Sequence, residues 1–414
     1  MKPSNHLVSA QAVQGHIREI DGLRGIAIAL VMVHHFWPGT RWAELAHLGW
    51  IGVDLFFVIS GFLITGILLD TREEPAYFRN FYARRALRIF PLYYLFLTAA
   101  FVIIPLAEAG PYLQTAFLRE SGSPWWYYLY GGNLREAITG TEPAYILAPL
   151  WSLSIEEQFY ITFPVVVFLL PPRTLRFLLL ALIVVAPIFR TATALAWPMN
   201  ERIQYLATIS RMDVIALGGL IAVSHRMKDA WLPSRRTTAR LFAVALVVLA
   251  VTFCLSGLNR MTLFCRTVGY SLVAGTFALM VLWAVQNRGA AATSLLRVAP
   301  LVRLGTICYG VYLLQRPAEV LFGRVVSRSQ VPIDLDSFAG MAGKCAAAIL
   351  LATLSWFFFE KPILGFKRHF LRGLRSPRDG GPGAVRRAGD GDRIPQIGEE
   401  TRADASCISA VAQT

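Results

Sequence analysis

The chain has 414 residues, of which 55% are hydrophobic and only 16% charged, with a mean hydropathy of +0.50. Soluble chains are about 25% charged, so a soluble globular fold is excluded, and long unbroken apolar runs exclude an outer-membrane barrel, whose strands alternate. The formal charge of +14 does not call for nucleic acid, because Lys and Arg collect on the cytoplasmic loops of membrane proteins.

A helix needs roughly 20 apolar residues to cross a bilayer core, and it satisfies its own backbone in lipid. The expected fold is therefore all-α, a polytopic transmembrane bundle of about ten spans: 22–38, 49–70, 90–107, 150–170, 174–190, 203–223, 240–257, 266–286, 301–322 and 340–360. An even number of spans puts both termini on one side. Arg72, Arg79, Arg84, Arg85 and Arg88 fall in the 71–89 loop, and Arg226, Lys228, Arg235, Arg236 and Arg240 in the 224–240 loop. With Arg288, Arg297 and Arg303 they make that side cytoplasmic. Residues 1–19 are a cytoplasmic segment without a cleavable signal, since Asp21 and Arg24 interrupt the first apolar run. Residues 20–369 form the membrane domain. Residues 370–414, rich in Gly, Arg and Asp, read as a disordered cytoplasmic tail.

The first span, EIDGLRGIAIALVMVHHFW, carries Arg24 and His35 eleven residues apart. That is about three helical turns, so both lie on one face, roughly 16 Å apart along the axis. Ionisable groups at this depth are costly and mark functional sites by default. Histidine is a natural general base near neutral pH, and arginine a natural clamp for phosphate or carbonyl. The bland alternative is an arginine that snorkels to the interface and a packing histidine.

Asp54 lies within the second span, and Arg211 and Asp213 within the sixth. Each is an intramembrane candidate, and an Arg211–Asp213 pair is an equally good structural reading. Gly61, Gly218 and Gly219 suit close helix packing. Arg85 and Arg88, neighbours at i, i+3, suit a phosphate-rich cytoplasmic ligand or an ordinary basic collar. The 108–149 segment is the largest external loop, and its WWYYLY run from Trp125 to Tyr130 reads first as an interfacial aromatic belt and second as a sugar platform. Glu156 and Glu157 near the outer end of the fourth span could charge-balance His35, or serve only as acids at a helix start. The five cysteines are an odd number without metal-ligand spacing, so neither a disulfide framework nor a metal site is expected.

Together the segments DGLRGIAIALVMVHH, GVDLFFVISGFLIT, RRALRIFP, WSLSIEEQFY, RMDVIALGGL, LGTICYGVYLL and FFFEKPI resemble the integral-membrane acyltransferase family 3, in order and over nearly the whole chain to about residue 365. The resemblance places the family's Arg-ten residues-His pattern on Arg24 and His35 and leaves His34 secondary. Its RxxR falls on Arg85 and Arg88, its SxE acid on Glu156 and its ExP ending on Glu360 and Pro362. It implies an O-acyltransferase in the bacterial cytoplasmic membrane, with no bound cofactor and with acyl-CoA, acetyl-CoA by family habit, as co-substrate. The implied acceptor is a hydroxyl of a carbohydrate, glycolipid or small metabolite. His35 is the expected base and Glu156 its partner, with Arg24, Arg85 and Arg88 on the donor. Many relatives carry a histidine where this chain has Gln315, and some carry a C-terminal SGNH-type domain not found here. The expectation is that transfer occurs in the membrane domain or with a separate partner. The rival classes are a polar-solute transporter and a polysaccharide flippase or polymerase without CoA chemistry.

Overall fold

The computed structural model describes residues 17–39, 46–103, 117–227, 232–255, 262–329 and 333–370, with no strand among them. The N-terminal residues 1–16, the tail 371–414 and Cys407 lie outside the described residues. Helix α1 (Arg18–Phe36) ends where Trp37 turns extended, as a residue before proline does. After a turn at Leu48–Trp50 comes α2 (Ile51–Thr71). Helix α3 (Tyr77–Thr98) runs on as a π-helical turn at Ala99–Ile103. It starts well before the expected residue 90. Tyr77, Asn80 and Phe81 are buried at i, i+3, i+4 spacing, so the arginine-rich stretch is an amphipathic helix and not a loop. Arg79, Arg84, Arg85 and Arg88 therefore ride on α3.

The segment before the next long helix holds a short turn of helix at Trp125–Tyr128 and then α4 (Gly132–Thr139). Gly140, at φ 68°, ends α4 with its N–H on the Glu136 carbonyl, a conformation that favours glycine. The chain continues through α5 (Leu150–Leu169), α6 (Pro172–Ala196), α7 (Glu201–Leu206) and α8 (Met212–Met227). The expected span 203–223 is thus interrupted. Ala207 is extended, and a 3-10 turn at Thr208–Arg211 brings Arg211 to its partner on α2. Next are α9 (Arg235–Leu255) and α10 (Tyr270–Gln286). The expected span 301–322 divides at Ile307 into α11 (Ala299–Thr306) and α12 (Cys308–Ser329), and α13 (Phe338–Ser355) closes the bundle.

Among the described residues, seven helical stretches are long and apolar enough to cross a membrane: Leu48–Thr71, Tyr77–Ile103, Tyr145–Leu169, Pro172–Ala196, Arg235–Leu255, Cys265–Gln286 and Phe338–Lys367. The other three expected spans coincide with α1, α7–α8 and α11–α12. These carry buried polar groups such as Asp21, Asp213 and Gln315, and two of them are broken. They also pack in the interior. Helix α1 lies against α2 and α11, and α8 against α2, α6 and α10. The buried acids of α1 and α8, Asp21 and Asp213, are therefore enclosed by neighbouring helices, as lipid requires.

The α2–α8 interface depends on missing side chains. A Cβ on Gly218 would stand 2.0 Å from the Val58 carbonyl oxygen, and one on Gly61 would stand 2.0 Å from that of Ile215. Small residues let backbones approach where no hydrophobic force between helices exists in lipid. We expect Gly218→Val to destabilise the protein by about 1–3 kcal/mol through overpacking, read as a lower thermal midpoint in detergent. An unchanged midpoint would mean that the helices tolerate separation.

Candidate active site

Two cavities meet inside the bundle. The larger, about 510 Å³, is bounded by His34 and His35 on α1, by Glu136, Glu142 and Tyr145, and by Arg202, Tyr205 and Arg316. The smaller, about 90 Å³, is lined by Arg24, Arg85, Arg88, Ser60, Glu156 and Cys308. Both have Val53 and Tyr312 in their walls. One face of α1 thus serves both, with Arg24 in one and His35 in the other.

His35 is held by Gln315. The Gln315 side chain is fully buried, and its Nε2 donates to the Tyr312 carbonyl at 3.0 Å. A carbonyl cannot donate, so the amide nitrogen must face it, and Oε1 is turned toward His35 Nδ1 at 2.9 Å. Oε1 only accepts, so Nδ1 carries the proton in this bond. That tautomer leaves the lone pair on Nε2, the state in which imidazole acts as a base. The role expected of Glu156 thus falls to Gln315. Glu156 lies in the smaller cavity, where Ser60 Oγ donates to its Oε1 at 2.7 Å and Tyr160 donates to Ser60 at 3.2 Å. Its position one turn and a half into α5 carries it away from His35 and toward the arginines. Glu157 is buried and not a solvated helix start.

Arg24 bonds Asp21 across one turn at 3.4 Å. The Arg85 guanidinium lies over the Tyr160 ring at 5.8 Å and over Phe81 at 5.9 Å. The structure brings Arg24, Arg85, Arg88 and Glu156 together and keeps His35 in the adjoining space. The ring of Tyr312 forms the partition. Its hydroxyl donates to the Pro149 carbonyl at 3.0 Å and shares a 2.6 Å bond with Ser152 Oγ.

The His35 cavity has an aromatic wall. Trp50, Trp151 and Tyr205 line it, with Trp151 and Tyr205 centroids 4.8 Å apart. The WWYYLY run does not line it. Tyr127 and Tyr130 of that run are buried among other rings, while Trp125 and Leu129 are exposed. Across the mouth, Arg316 stacks on Tyr145 at 4.1 Å and pairs with Glu319 at 3.1 Å. Arg202 bridges Glu136, at 2.9 Å, and Glu142. Burial pushes the Glu136 carboxyl up to about 8, against the pull of Arg202 and Arg135. Among the described residues no group of His, Cys, Asp and Glu is arranged to hold a metal ion.

The acyltransferase domain model of acyltransferase family 3 matches residues 17–357. The chain belongs to this family. It is 29% identical to YrhL of Bacillus subtilis, over 84% of this chain and 55% of that protein. It is 27% identical to the peptidoglycan O-acetyltransferase OatA of Listeria monocytogenes, over 86% of this chain and 57% of the relative. It is also 27% identical to the O-acetyltransferase OatA of Staphylococcus aureus, over 84% and 57%. The chain thus spans little more than half the length of these relatives. No solved structure matches it.

The remaining acyltransferase candidates support the walls. Asp54 and Arg211, both fully buried, pair with each other. The sequence offered Asp213 as one structural partner for Arg211, and the structure pairs Arg211 with Asp54 on α2. Asp213 instead accepts from Arg190 at 2.8 Å and from Ser271 Oγ at 2.6 Å. Arg190 escaped the sequence reading as the last residue of an apolar run. The Arg211 guanidinium sits over Tyr270 at 4.9 Å and Tyr205 at 5.2 Å, so it props the aromatic wall from behind. Glu360 accepts from Ser355 Oγ at 2.9 Å and packs on Gly310, lining neither cavity.

Breaking a buried pair leaves an uncompensated charge, whereas replacing both partners by apolar groups is often neutral. We expect Asp54→Ala to destabilise by about 3–5 kcal/mol, and the Asp54→Leu, Arg211→Met double variant to recover most of that. Thermal unfolding in detergent of the wild type, the Asp54→Leu and Arg211→Met single variants and the double variant measures it. Additive losses would show that the pair does not act as a unit.

Proposed function

We propose that the protein is a membrane O-acyltransferase that moves an acyl group, acetyl in the simplest case, from acyl-CoA to a hydroxyl of a carbohydrate or glycolipid. The observation that carries this is the contact of the two cavities at Tyr312 and Val53. One is cationic and narrow, the other wide, aromatic and provided with a base. Arg85 and Arg88 meet donor phosphates, charge-assisted bonds being the strong ones, while Arg24 lies nearer the thioester. The names of the OatA relatives and the aromatic wall favour a carbohydrate acceptor.

In this reading the acceptor hydroxyl donates to His35 Nε2. Its oxygen attacks the thioester carbonyl carbon as the proton passes to the imidazole. The C–S bond then breaks, and the CoA thiolate leaves toward the cationic cavity. Gln315 holds the ring throughout, because Nδ1–H keeps the same acceptor in both protonation states. General-base catalysis of this kind is worth roughly 10²–10⁴-fold. Glu156 belongs with the donor arginines, fixing their charge and the Ser60–Tyr160 chain. The ten-span arrangement, with both termini cytoplasmic and the His35 cavity on the outer side of a bacterial cytoplasmic membrane, follows from the charge bias.

The test is transfer from acetyl-CoA by purified protein. His35→Ala is expected to abolish it with expression intact, and an active His35→Ala would end this mechanism. Gln315→Leu should lower kcat by about 10–100-fold, the usual effect of losing an orienting partner, with the donor KM unchanged because Gln315 lies outside the donor cavity. Gln315→Glu, which keeps an acceptor for Nδ1, should retain more activity than the leucine variant. Equal losses in the two would mean that the orienting bond is unimportant.

A further inference from the structure

A third, smaller cavity adjoins the donor cavity and shares Arg85 with it. Lys367, Arg84, Asn80 and Glu74 also line it. Lys367 belongs to the 3-10 turn Gly365–Phe370, beyond the residues that match the family domain. The turn is held to α3 by a 2.8 Å bond from Arg84 Nε to the Phe370 carbonyl. Lys367 is only 8% exposed. Arg84 and Arg85 are the other cationic side chains in the wall it faces. Glu74 is the carboxylate in this wall, and it forms no ion pair with Lys367 among the described residues.

A lysine near the end of a membrane helix normally extends its flexible stem and leaves the ammonium in water. Burying that side chain beside like charges is unfavourable unless it gives up its proton or an anion is bound there. This lysine is turned into a wall that holds two arginines, Arg84 and Arg85, and one carboxylate, next to a cavity already suited to a phosphorylated donor. We propose that the cavity is a phosphate subsite, in which Lys367 and Arg84 hold a phosphoryl group beyond the one met by Arg85 and Arg88. A nucleotide donor and a lipid headgroup both supply that chemistry. The shared Arg85 favours the donor, and this part rests on the acyl-CoA reading above.

The experiment is equilibrium binding to lipid-free protein in detergent, with CoA, dephospho-CoA and pantetheine as probes. Lys367→Met should weaken CoA by about tenfold (~1.4 kcal/mol) and leave pantetheine unchanged. The same variant should raise the melting temperature of the ligand-free protein, since it removes a buried like charge. Unchanged CoA affinity, or equal losses for CoA and pantetheine, would overturn the subsite. A lower ligand-free melting temperature would do so as well, because it would mean that the ammonium is structurally paired. Failure of the donor reading looks different. The wild type would then bind no CoA, while inorganic pyrophosphate would still raise the melting temperature of the wild type but not of Lys367→Met. Stabilisation by phosphatidylglycerol nanodiscs that is lost in the variant would then identify the lipid source. Pyrophosphate acting equally on both proteins would refute the subsite from either source.

Discussion

Carbonyl oxygens of α1 occupy the places where a Cβ would stand on three glycines around it: Leu30 at Gly49, Ala27 at Gly52 and Asp21 at Gly305, at 2.1, 2.4 and 1.9 Å. Gly22 and Gly25 of α1 receive the carbonyls of Leu296 and Leu301 in the same way. Helix α1 is therefore gripped by backbone on two sides, against α2 and against the turn leading into α11. Backbone contacts of this kind leave no soft side chain to absorb movement. Arg24 and His35 are carried by this one clamped rod, so the relative placement of the two cavities is fixed by helix geometry. Positioning of reactants is worth several kcal/mol only when the groups are held to a fraction of an ångström. The clamp holds in this way the helix that carries both Arg24 and His35.

The same demand explains the buried charges. Arg190 and Asp213 join α6 to α8 with both side chains fully buried, and Arg211 and Asp54 join α8 to α2. An isolated charge in hydrocarbon is expensive, so these helices can occupy only the arrangement that completes both pairs. Asp213 also accepts the Val214 N–H at 3.0 Å in the first turn of α8, where an acid is favoured by the helix dipole. Arg211 reaches the aromatic wall because the chain breaks at Ala207. The interruption that spoils the sixth apolar span is what aims the side chain.

The period of the first span was enough to place Arg24 and His35 on one face, and a run of small residues was enough to suggest close packing at Gly61 and Gly218. Both follow from helix geometry, which is local. The errors lie where partners are distant in sequence. His35 and Gln315 are 280 residues apart, and Arg211 and Asp54 are 157 apart, so no spacing rule connects them. Glu156 was matched to His35 because both were expected near the same membrane face, but depth along a span says nothing about direction around it. One signal was available. Gln315 is an amide at the end of the apolar run Val311–Leu314, and a buried amide needs partners for both ends. Hydropathy likewise recovers seven stretches, among them the well-buried α2, and falters at α1, α8 and α12, where ionisable groups and chain breaks shorten the apolar runs.

One turn of α12 joins the partition to the base. The Tyr312 ring separates the cavities through its hydroxyl bonds to Pro149 and Ser152, while the Tyr312 carbonyl sets the Gln315 amide. The first is a side-chain tether and the second a main-chain one. Rotation of the ring about its own side-chain torsions breaks two hydrogen bonds, each worth about 0.5–1.5 kcal/mol net, and leaves the backbone where it was. The passage from Arg24 to His35 can therefore open without disturbing the tautomer of the histidine. An arrangement with the base oriented by the tyrosine hydroxyl itself would lose that orientation each time the wall moved. Placing the two tasks on different atoms of one residue lets the wall between the cavities and the orientation of His35 be set independently.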